Sequence, residues 1–554
     1  MKQLLEKLIL QALKSAHETG LFASSANPNF VIEVPKNLAH GDYSTNIAMV
    51  SAGLQKMPPR KIAESIISHI SDTEGLIDRL EIAGPGFINF YLRPASWLRF
   101  LKKVHVQGSR YGSENIGNGK KIQVEFVSSN PTGPLHVGHG RGAAVGDSVA
   151  NILSFCGFDV QKEYYINDSG RQITTLGRSV FIRYQELLGE FVRFPDDCYQ
   201  GDYIREIAER IRNLKGAELL DEPDEKAVIF CARYAADLIL DGMKADLETF
   251  GVVFNCWYSE QGLYDSGKVA SVIDDLKSRS IIYEKDGALW FNTTSHGDEK
   301  DRVVVRQNGQ TTYFASDIAY HYDKYARGFE KVIDVWGADH HGYIPRVTAA
   351  IVSGGYQKEQ FEVILVQLVS LLRAGVPVAM STRAGEFVTL RDVIQEVGRD
   401  AARFIFLTRS SDNTLEFDLE LAKQKTNDNP VYYVQYVHAR ICSIIRKSTA
   451  LGIRGAVPSD DALGLLKTSE DIALIKMLIK FPEIVRSAAE ILEPHRVTFY
   501  LMELAAAFHA YYNRQRVLSD DEPLTLARLY LMTAVRQVIA NGLSLLGVSA
   551  PESM

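Results

Sequence analysis

The sequence predicts a mixed α/β protein: a parallel sheet at the centre, a small α+β unit before it and an all-helical region after it. Three observations carry this. Between residues 120 and about 425, short apolar strand patterns alternate with helical ones, the habit of a parallel α/β sheet. From about Asn429 onward helical periodicity dominates. A chain of 554 residues is also too long for one hydrophobic core.

Residues 1–106 read as the α+β unit. An amphipathic helix opens it, with Leu4, Leu5, Leu8 and Leu13 roughly on one side. Residues 31–34 form a strand pattern, and the polar run 41–46 opens a helix that it can cap. A further helix follows Pro58-Pro59 as far as His69, and strands at 80–83 and 87–92 flank Gly84-Pro85-Gly86. A Gly-rich linker spans 108–119. In the region 120–425, an apolar strand at 122–127 leads through the turn-rich stretch 128–134 into a helix from about Val137 to Phe155. Residues 206–250 are largely helical, within an insertion of about 175–300 between sheet halves. Asn308-Gly309, between the apolar runs 302–306 and 311–314, predicts a hairpin. The strand 331–336 ends in Gly337-Ala338-Asp339-His340-His341-Gly342, and ligands bind at such strand ends in open α/β sheets. Residues 429–554 complete the chain as helices, and the sequence has no internal repeat.

The composition narrows the classes. A net charge of −7 excludes a generally basic coat, so any nucleic-acid contact must come from local patches. Lys2, Glu6, Lys7 and Lys14 interrupt any leader-like apolar run, and no stretch is long enough to span a bilayer. The five cysteines (156, 198, 231, 256 and 442) are widely spaced and form no C-x-x-C pair. Neither a zinc site nor a disulfide framework is expected, and a reducing cytoplasm fits.

The most informative residues are His136-Val137-Gly138-His139. A strand, a Gly/Pro turn and a helix make a phosphate site, because a helix start presents free N–H groups and positive partial charge. Two histidines there add donors, and Gly138 lets a flat base approach the backbone. With its flanks, the run Glu125-Phe126-Val127-Ser128-Ser129-Asn130-Pro131-Thr132-Gly133-Pro134-Leu135-His136-Val137-Gly138-His139-Gly140-Arg141 resembles the HIGH element of class I aminoacyl-tRNA synthetases in its arginyl-tRNA synthetase form. Further blocks at 39–48, 83–90, 254–260, 312–320, 371–392 and 429–442 also resemble segments of that family, so that the resemblance covers nearly the whole chain.

The resemblance implies a Rossmann-like catalytic domain at 120–425, an N-terminal domain at 1–106 that touches the tRNA elbow, and a helical anticodon-binding domain at 429–554. The implied activity is activation of L-arginine by ATP, as its Mg2+ complex, and transfer to tRNA(Arg). No tightly bound metal and a cytoplasmic monomer are implied with it. His136, Gly138, His139, Gly337, Met380, Ser381 and Arg383 correspond to ATP-binding positions, with His136, His139 and Arg383 catalytic. Ser128, Asn130 and His136 correspond to the residues that hold the backbone end of arginine, with Asp339 near its α-amino group; Glu260, Tyr313 and Asp317 correspond to those that hold its side chain. A guanidinium presents five donors in a plane and keeps its charge, so paired carboxylates suit it. Asn89, Tyr436, Arg440, Arg446 and Arg514 are the candidate tRNA contacts, where rings and cations suit unstacked bases.

One element departs from the family. Its KMSKS loop carries two lysines, for which this chain has Ala379 and Thr382; Gly133 stands where some members place a substitute lysine. Arg383 remains as a permanent cation, and it is expected to take over much of the lost role. The same departure defines the alternative, a synthetase-like tRNA-binding protein weakened in catalysis.

Overall fold

The structure is a computed structural model and describes residues 1–378, 388–453 and 457–554, of Leu38 the backbone only. The chain folds as two compact units.

One unit comprises Met1–Tyr111 with Ile441–Phe481 and Ala506–Val538. Its four strands, all antiparallel, lie in the order Ile32–Glu33, Tyr43–Thr45, Phe87–Leu92, Ile77–Ala83. In the helix Lys2–Glu18 the buried stripe is Leu5, Ile9, Ala12, Leu13 and Ala16, a cleaner i, i+4, i+7 spacing than the leucines alone suggested. Part of the polar run 41–46 is strand rather than helix entry; the helix starts at Ile47, whose N–H is accepted by Thr45 Oγ1 at 3.3 Å. His105 stacks on Tyr530 with centroids 3.6 Å apart, so the N-terminal segment and the later helices share one packing.

The other unit comprises Gly112–Arg440 with Pro482–Ala505 and Ile539–Met554. Its centre is a five-stranded parallel sheet. The elements that matter are β1 (Lys121–Phe126), α1 (Val137–Phe155), β2 (Asp159–Ile166), β3 (Cys256–Ser259), α2 (Glu260–Asp265), α3 (Tyr313–Ala326), β4 (Lys331–Gly337), α4 (Ile344–Ser353) and β5 (Phe361–Val366). The strand order is β5-β4-β1-β2-β3. The chain leaves β1 toward β2 and β3, then returns on the other side as β4 and β5. Strand order therefore reverses between β1 and β4, and ligands bind outside the carboxyl ends of strands at such a point. The helices Arg171–Leu187, Asp202–Lys215 and Asp224–Thr249 form the insertion between β2 and β3. This unit is a doubly wound α/β layer with a helical excursion.

Strands of a parallel sheet are usually apolar on both faces. β1 is not. Phe126 packs toward α1, so closely that a Cβ on Gly146 would lie 2.3 Å from its ring. Gln123 and Glu125 face the other way and are buried. The hairpin expected around Asn308-Gly309 is reduced to one turn: Arg306 donates to the Gln310 carbonyl at 2.8 Å, Val305 bridges Thr311, and α3 begins at Tyr313. Residues 313–314 are therefore helical. Phe314, Ala315, Ile318, Ala319 and Tyr322 recur at helical spacing against one apolar core, which outweighs the turn signal beside them. Among the described residues no helix is long and apolar enough to cross a membrane.

Candidate active site

The start of α1 has a fixed internal geometry. His136 is its N-cap, and its Nδ1 accepts the Gly138 N–H at 3.1 Å; the His136 N–H in turn donates to His139 Nδ1 at 3.2 Å. The two rings stack with centroids 3.7 Å apart. Both Nδ1 atoms therefore accept, which places each ring proton on Nε2. Burial lowers the pKa of His136; burial and then His136 push His139 down to about 3. Both rings are neutral donors at physiological pH. Gly138 has no room to spare, since a Cβ would meet the His136 ring at 3.0 Å. The segment after residue 387 is tied to this helix start: Leu390 donates to the Leu135 carbonyl at 2.7 Å and Thr389 bridges His136.

Beside it, a cavity of about 320 Å³ opens at the carboxyl ends of β1, β2 and β4. Its wall is anionic. Glu125, Glu260, Asp317 and Asp334 all line it. Glu260 is buried at the start of α2 and already well occupied: Oε1 accepts from Ser316 at 2.6 Å and Oε2 from Ser169 at 2.7 Å. Asn167, with its amide nitrogen turned inward, adds a third donor at 2.7 Å. Asp317 is the opposite case. Among the described residues no donor pairs with its carboxylate, which faces the cavity open. Burial, opposed by His321 and reinforced by Glu260 and Glu125, pushes its pKa up to about 7.

The floor is an ionic layer between sheet and helix. Glu163, Glu125 and Asp334 are register neighbours on β2, β1 and β4, so three carboxylates lie in one row across the sheet. Three cations from α3 and its end cover them. Lys324 Nζ donates to Glu125 Oε2 at 2.5 Å and to Asp334 Oδ1 at 2.8 Å. Arg327 grips Glu163 with two N–H groups at 2.5 and 2.8 Å. His321 meets acceptors at both ring nitrogens, the Asp317 carbonyl at 2.7 Å and Asp334 Oδ2 at 3.0 Å, and only the doubly protonated ring satisfies both. Despite burial, Lys324 and His321 hold Asp334 below the usual carboxylate range, while burial raises Glu125 in spite of Lys324. With all four cavity carboxylates ionised, Lys324 and His321 leave an excess of two negative charges, the complement of a ligand with two cationic groups.

The end of β1 is shaped to serve this cavity. Val127 and Ser128 hold φ of 70° and 40°, a region costly for a β-branched residue. The Ser128 N–H closes a three-residue turn on the Phe126 carbonyl at 3.0 Å. The turn aims Ser128 Oγ at Glu125 Oε1, 2.8 Å away, and lets the same hydroxyl accept the Tyr165 N–H at 3.1 Å.

Most of the expected ligand-side residues come together. Ser128, Asn130, Glu260, Tyr313, Asp317 and Gly337 line the cavity. Three placements differ from expectation. Asp339 is exposed beside His340 and does not line the cavity, because the turn after β4 carries its side chain outward. His136 is committed to the helix start rather than to the cavity wall. Asp317 lies in the second turn of α3, not at its start, so its environment is set by neighbouring carboxylates rather than by a helix end. Met380, Ser381 and Arg383, with Ala379 and Thr382, lie outside the described residues. Among the RNA candidates, Arg446 and Arg514 are exposed, Arg514 pairing with Glu470 at 3.2 Å, and Tyr436 and Arg440 are half-buried. Asn89 is largely buried on a central strand, its Oδ1 accepting from Ser44 at 2.7 Å.

Sequence reasoning missed Tyr165, Tyr320, His321, Lys324 and Asp334. A signal was there. Asp317, Tyr320, His321 and Lys324 are spaced i, i+3, i+4, i+7, so an otherwise apolar helix turns one polar stripe inward, toward strands each interrupted by an acid.

Residues 3–92 match the family model of the arginyl tRNA synthetase N terminal domain, 101–426 that of the class I (R) tRNA synthetase catalytic domain, and 434–554 that of the DALR anticodon binding domain. The chain is 58% identical over 556 residues to the arginine–tRNA ligase of Desulfosudis oleivorans and 55% identical over 554 residues to that of Syntrophotalea carbinolica, covering all of both chains in each case. The Thermus thermophilus arginyl-tRNA synthetase structure superimposes with a TM-score of 0.77 at 23% identity over the full length of both, a likeness of fold.

Proposed function

We propose that this chain, which belongs to the arginyl-tRNA synthetase family, activates L-arginine with ATP and transfers the arginyl group to the 3′ end of tRNA(Arg). The observation that carries the amino-acid assignment is the cup itself: an open Asp317 carboxylate and a pre-bonded Glu260 in a cavity lined by four acids at a sheet switch point. The guanidinium lies against Asp317 and Glu260, with Tyr313 at the rim. Ser128, Asn130 and Glu125 receive the backbone end. The ATP–Mg2+ complex is the second substrate, its phosphates against the positive end of α1, where the His136 and His139 rings supply donors. Gly138 and Gly337 lie beside the nucleotide. Aminoacylation of bulk tRNA with each amino acid in turn tests the reading; charging by arginine alone is expected.

The arginine carboxylate attacks the α-phosphorus in line. An O–P bond forms, the bond to pyrophosphate breaks, and negative charge grows on the phosphoryl oxygens and the leaving group. Neutral histidines supply hydrogen bonds there but no charge. The missing loop lysines therefore leave a deficit, and we assign it to Arg383. Arg383→Ala is expected to slow ATP–pyrophosphate exchange at least about tenfold, since one fixed donor at developing charge is worth that much or more; near-normal exchange would discard the assignment.

The Asp317 pKa sets a pH dependence. Its carboxyl is raised from the ordinary 3.8 to about 7, so it is neutral below that pH and ionised above it. A guanidinium binds the ionised form, so arginine affinity falls as pH drops through 7, and binding releases a proton. The arginine KM is expected to be roughly tenfold higher at pH 6 than at pH 8, from simple proton competition at one site. In Asp317→Asn that slope should vanish.

For the RNA side we assign residues 429–554 to the anticodon and 1–106 to the tRNA elbow, with Tyr436, Arg440, Arg446 and Arg514 as contacts. The protein acts as a cytoplasmic monomer. Full-length relatives that are arginine–tRNA ligases weigh against the reading as a tRNA-binding protein without activation, which predicts tRNA binding without exchange.

A further inference from the structure

One buried hydroxyl in the cup is left short of a donor among the described residues. Tyr165, next to last in β2, is 8% exposed and lines the cavity; among the described residues Glu260 alone draws on its hydroxyl proton, without closing a hydrogen bond of ordinary geometry, and no donor reaches its oxygen. Its neighbours show what happens to phenols that only support the fold. The Tyr164 hydroxyl donates to the Ser129 carbonyl at 2.8 Å, that of Tyr320 to Glu163 at 2.7 Å, and that of Tyr258 to Asp323 at 2.9 Å. The Tyr165 ring is held firmly, 4.4 Å from Tyr320 and 6.4 Å from Tyr258 between centroids, so the hydroxyl cannot swing away to find a partner. Buried hydroxyls without partners cost stability and are rare, and those that persist mark sites with another use.

The charged groups around it say what that use is. Burial first, then Glu260, Asp317 and Glu125, pushes the phenol far above its ordinary pKa, so it keeps its proton. When ionised, as they are with a cationic ligand bound, those three side chains are acceptors only. They can take the phenolic proton but cannot fill the oxygen lone pairs. A donor for that oxygen must come with the ligand. A guanidinium brings five N–H groups. Glu260 already accepts from Ser316, Ser169 and Asn167, which leaves it little capacity, and Asp317 accommodates two. At least one N–H then needs a neutral acceptor.

We propose that the Tyr165 hydroxyl is a specificity-determining contact for the amino-acid side chain, accepting a guanidinium N–H while its own proton turns to a cup carboxylate. This rests on the reading of the cavity as the arginine pocket. Tyr165→Phe keeps the ring and its packing. In the full-length enzyme, assayed by ATP–pyrophosphate exchange with cognate tRNA present, it is expected to raise the arginine KM roughly tenfold while the ATP KM stays within about twofold. The melting temperature should stay level or rise, because the variant loses an unsatisfied buried group; a purely structural tyrosine would lower it. Asp317→Asn is measured in parallel. A raised arginine KM in Asp317→Asn with no change in Tyr165→Phe overturns the Tyr165 proposal, as does a Tyr165→Phe effect accompanied by a lowered melting temperature. No change in either variant instead overturns the assignment of the cavity.

Discussion

Asp317→Asn is expected to raise the arginine KM several hundredfold while the ATP KM changes only a few-fold. The two carboxylates assigned to the guanidinium are not equivalent. Glu260 spends most of its accepting capacity on Ser316, Ser169 and Asn167, so it contributes charge and a fixed position. Asp317 has no protein donor among the described residues and is free to take a bidentate N–H pair. Replacing it with an amide removes the charge and turns a donor toward the ligand. Breaking one partner of a desolvated charged contact costs about 2–4 kcal/mol, and each 1.4 kcal/mol is a factor of ten. The fold should not suffer, because the carboxylate makes no hydrogen bond that the variant would lose. Its raised pKa already shows that the empty pocket disfavours ionisation. An arginine KM within about threefold of the parent would remove Asp317 from the pocket.

Lys324→Met is expected to have the largest effect on stability. Lys324 is fully buried and bridges Glu125 and Asp334, which face each other on adjacent strands. Removing one partner of a buried ion pair costs about 3–5 kcal/mol, because the charge left behind is neither solvated nor paired. Here two carboxylates lose their shared cation. The pH dependence distinguishes this from simple loss of packing. Without Lys324, the buried acids should take folded-state pKa values above their unfolded ones. The folded variant then binds more protons than the unfolded chain, so its stability falls as pH rises through that window. The drop in melting temperature relative to the parent should be larger at pH 8 than at pH 5.5. In the parent, Lys324 is raised above its ordinary value, so its contribution is present across this whole range and fades only in strong alkali. An equal drop at both pH values would point to packing rather than charge.

These two residues differed in how legible they were. Asp317 stood inside a block resembling a known family, so its role could be carried over residue by residue. Lys324 lay just outside that block and reads, by composition, as an ordinary surface lysine near a helix end. Only the packing of α3 across β1 and β4 turns it inward. The same holds for Tyr165: the sequence shows two adjacent tyrosines on a strand, and period-2 alternation sends them to opposite faces without saying which hydroxyl finds a partner.

What could be read along the chain was local: the strand–turn–helix at 122–155, the helical tail, the position of His136 and His139 at a helix start, and the pocket acids. The first three depend on periodicity, capping or contiguous spacing, which are properties of neighbours in the chain; the acids were implied by the family resemblance of the blocks that hold them. Packing settled the remainder. It buried Asn89, turned Asp339 outward, tied up Glu260 and left Asp317 open. Those outcomes depend on which groups meet from strands and helices far apart in sequence, as Lys324 and Glu125 do. Whether a carboxylate stays ionised or a hydroxyl goes unpaired is fixed by that encounter and by the loss of water around it.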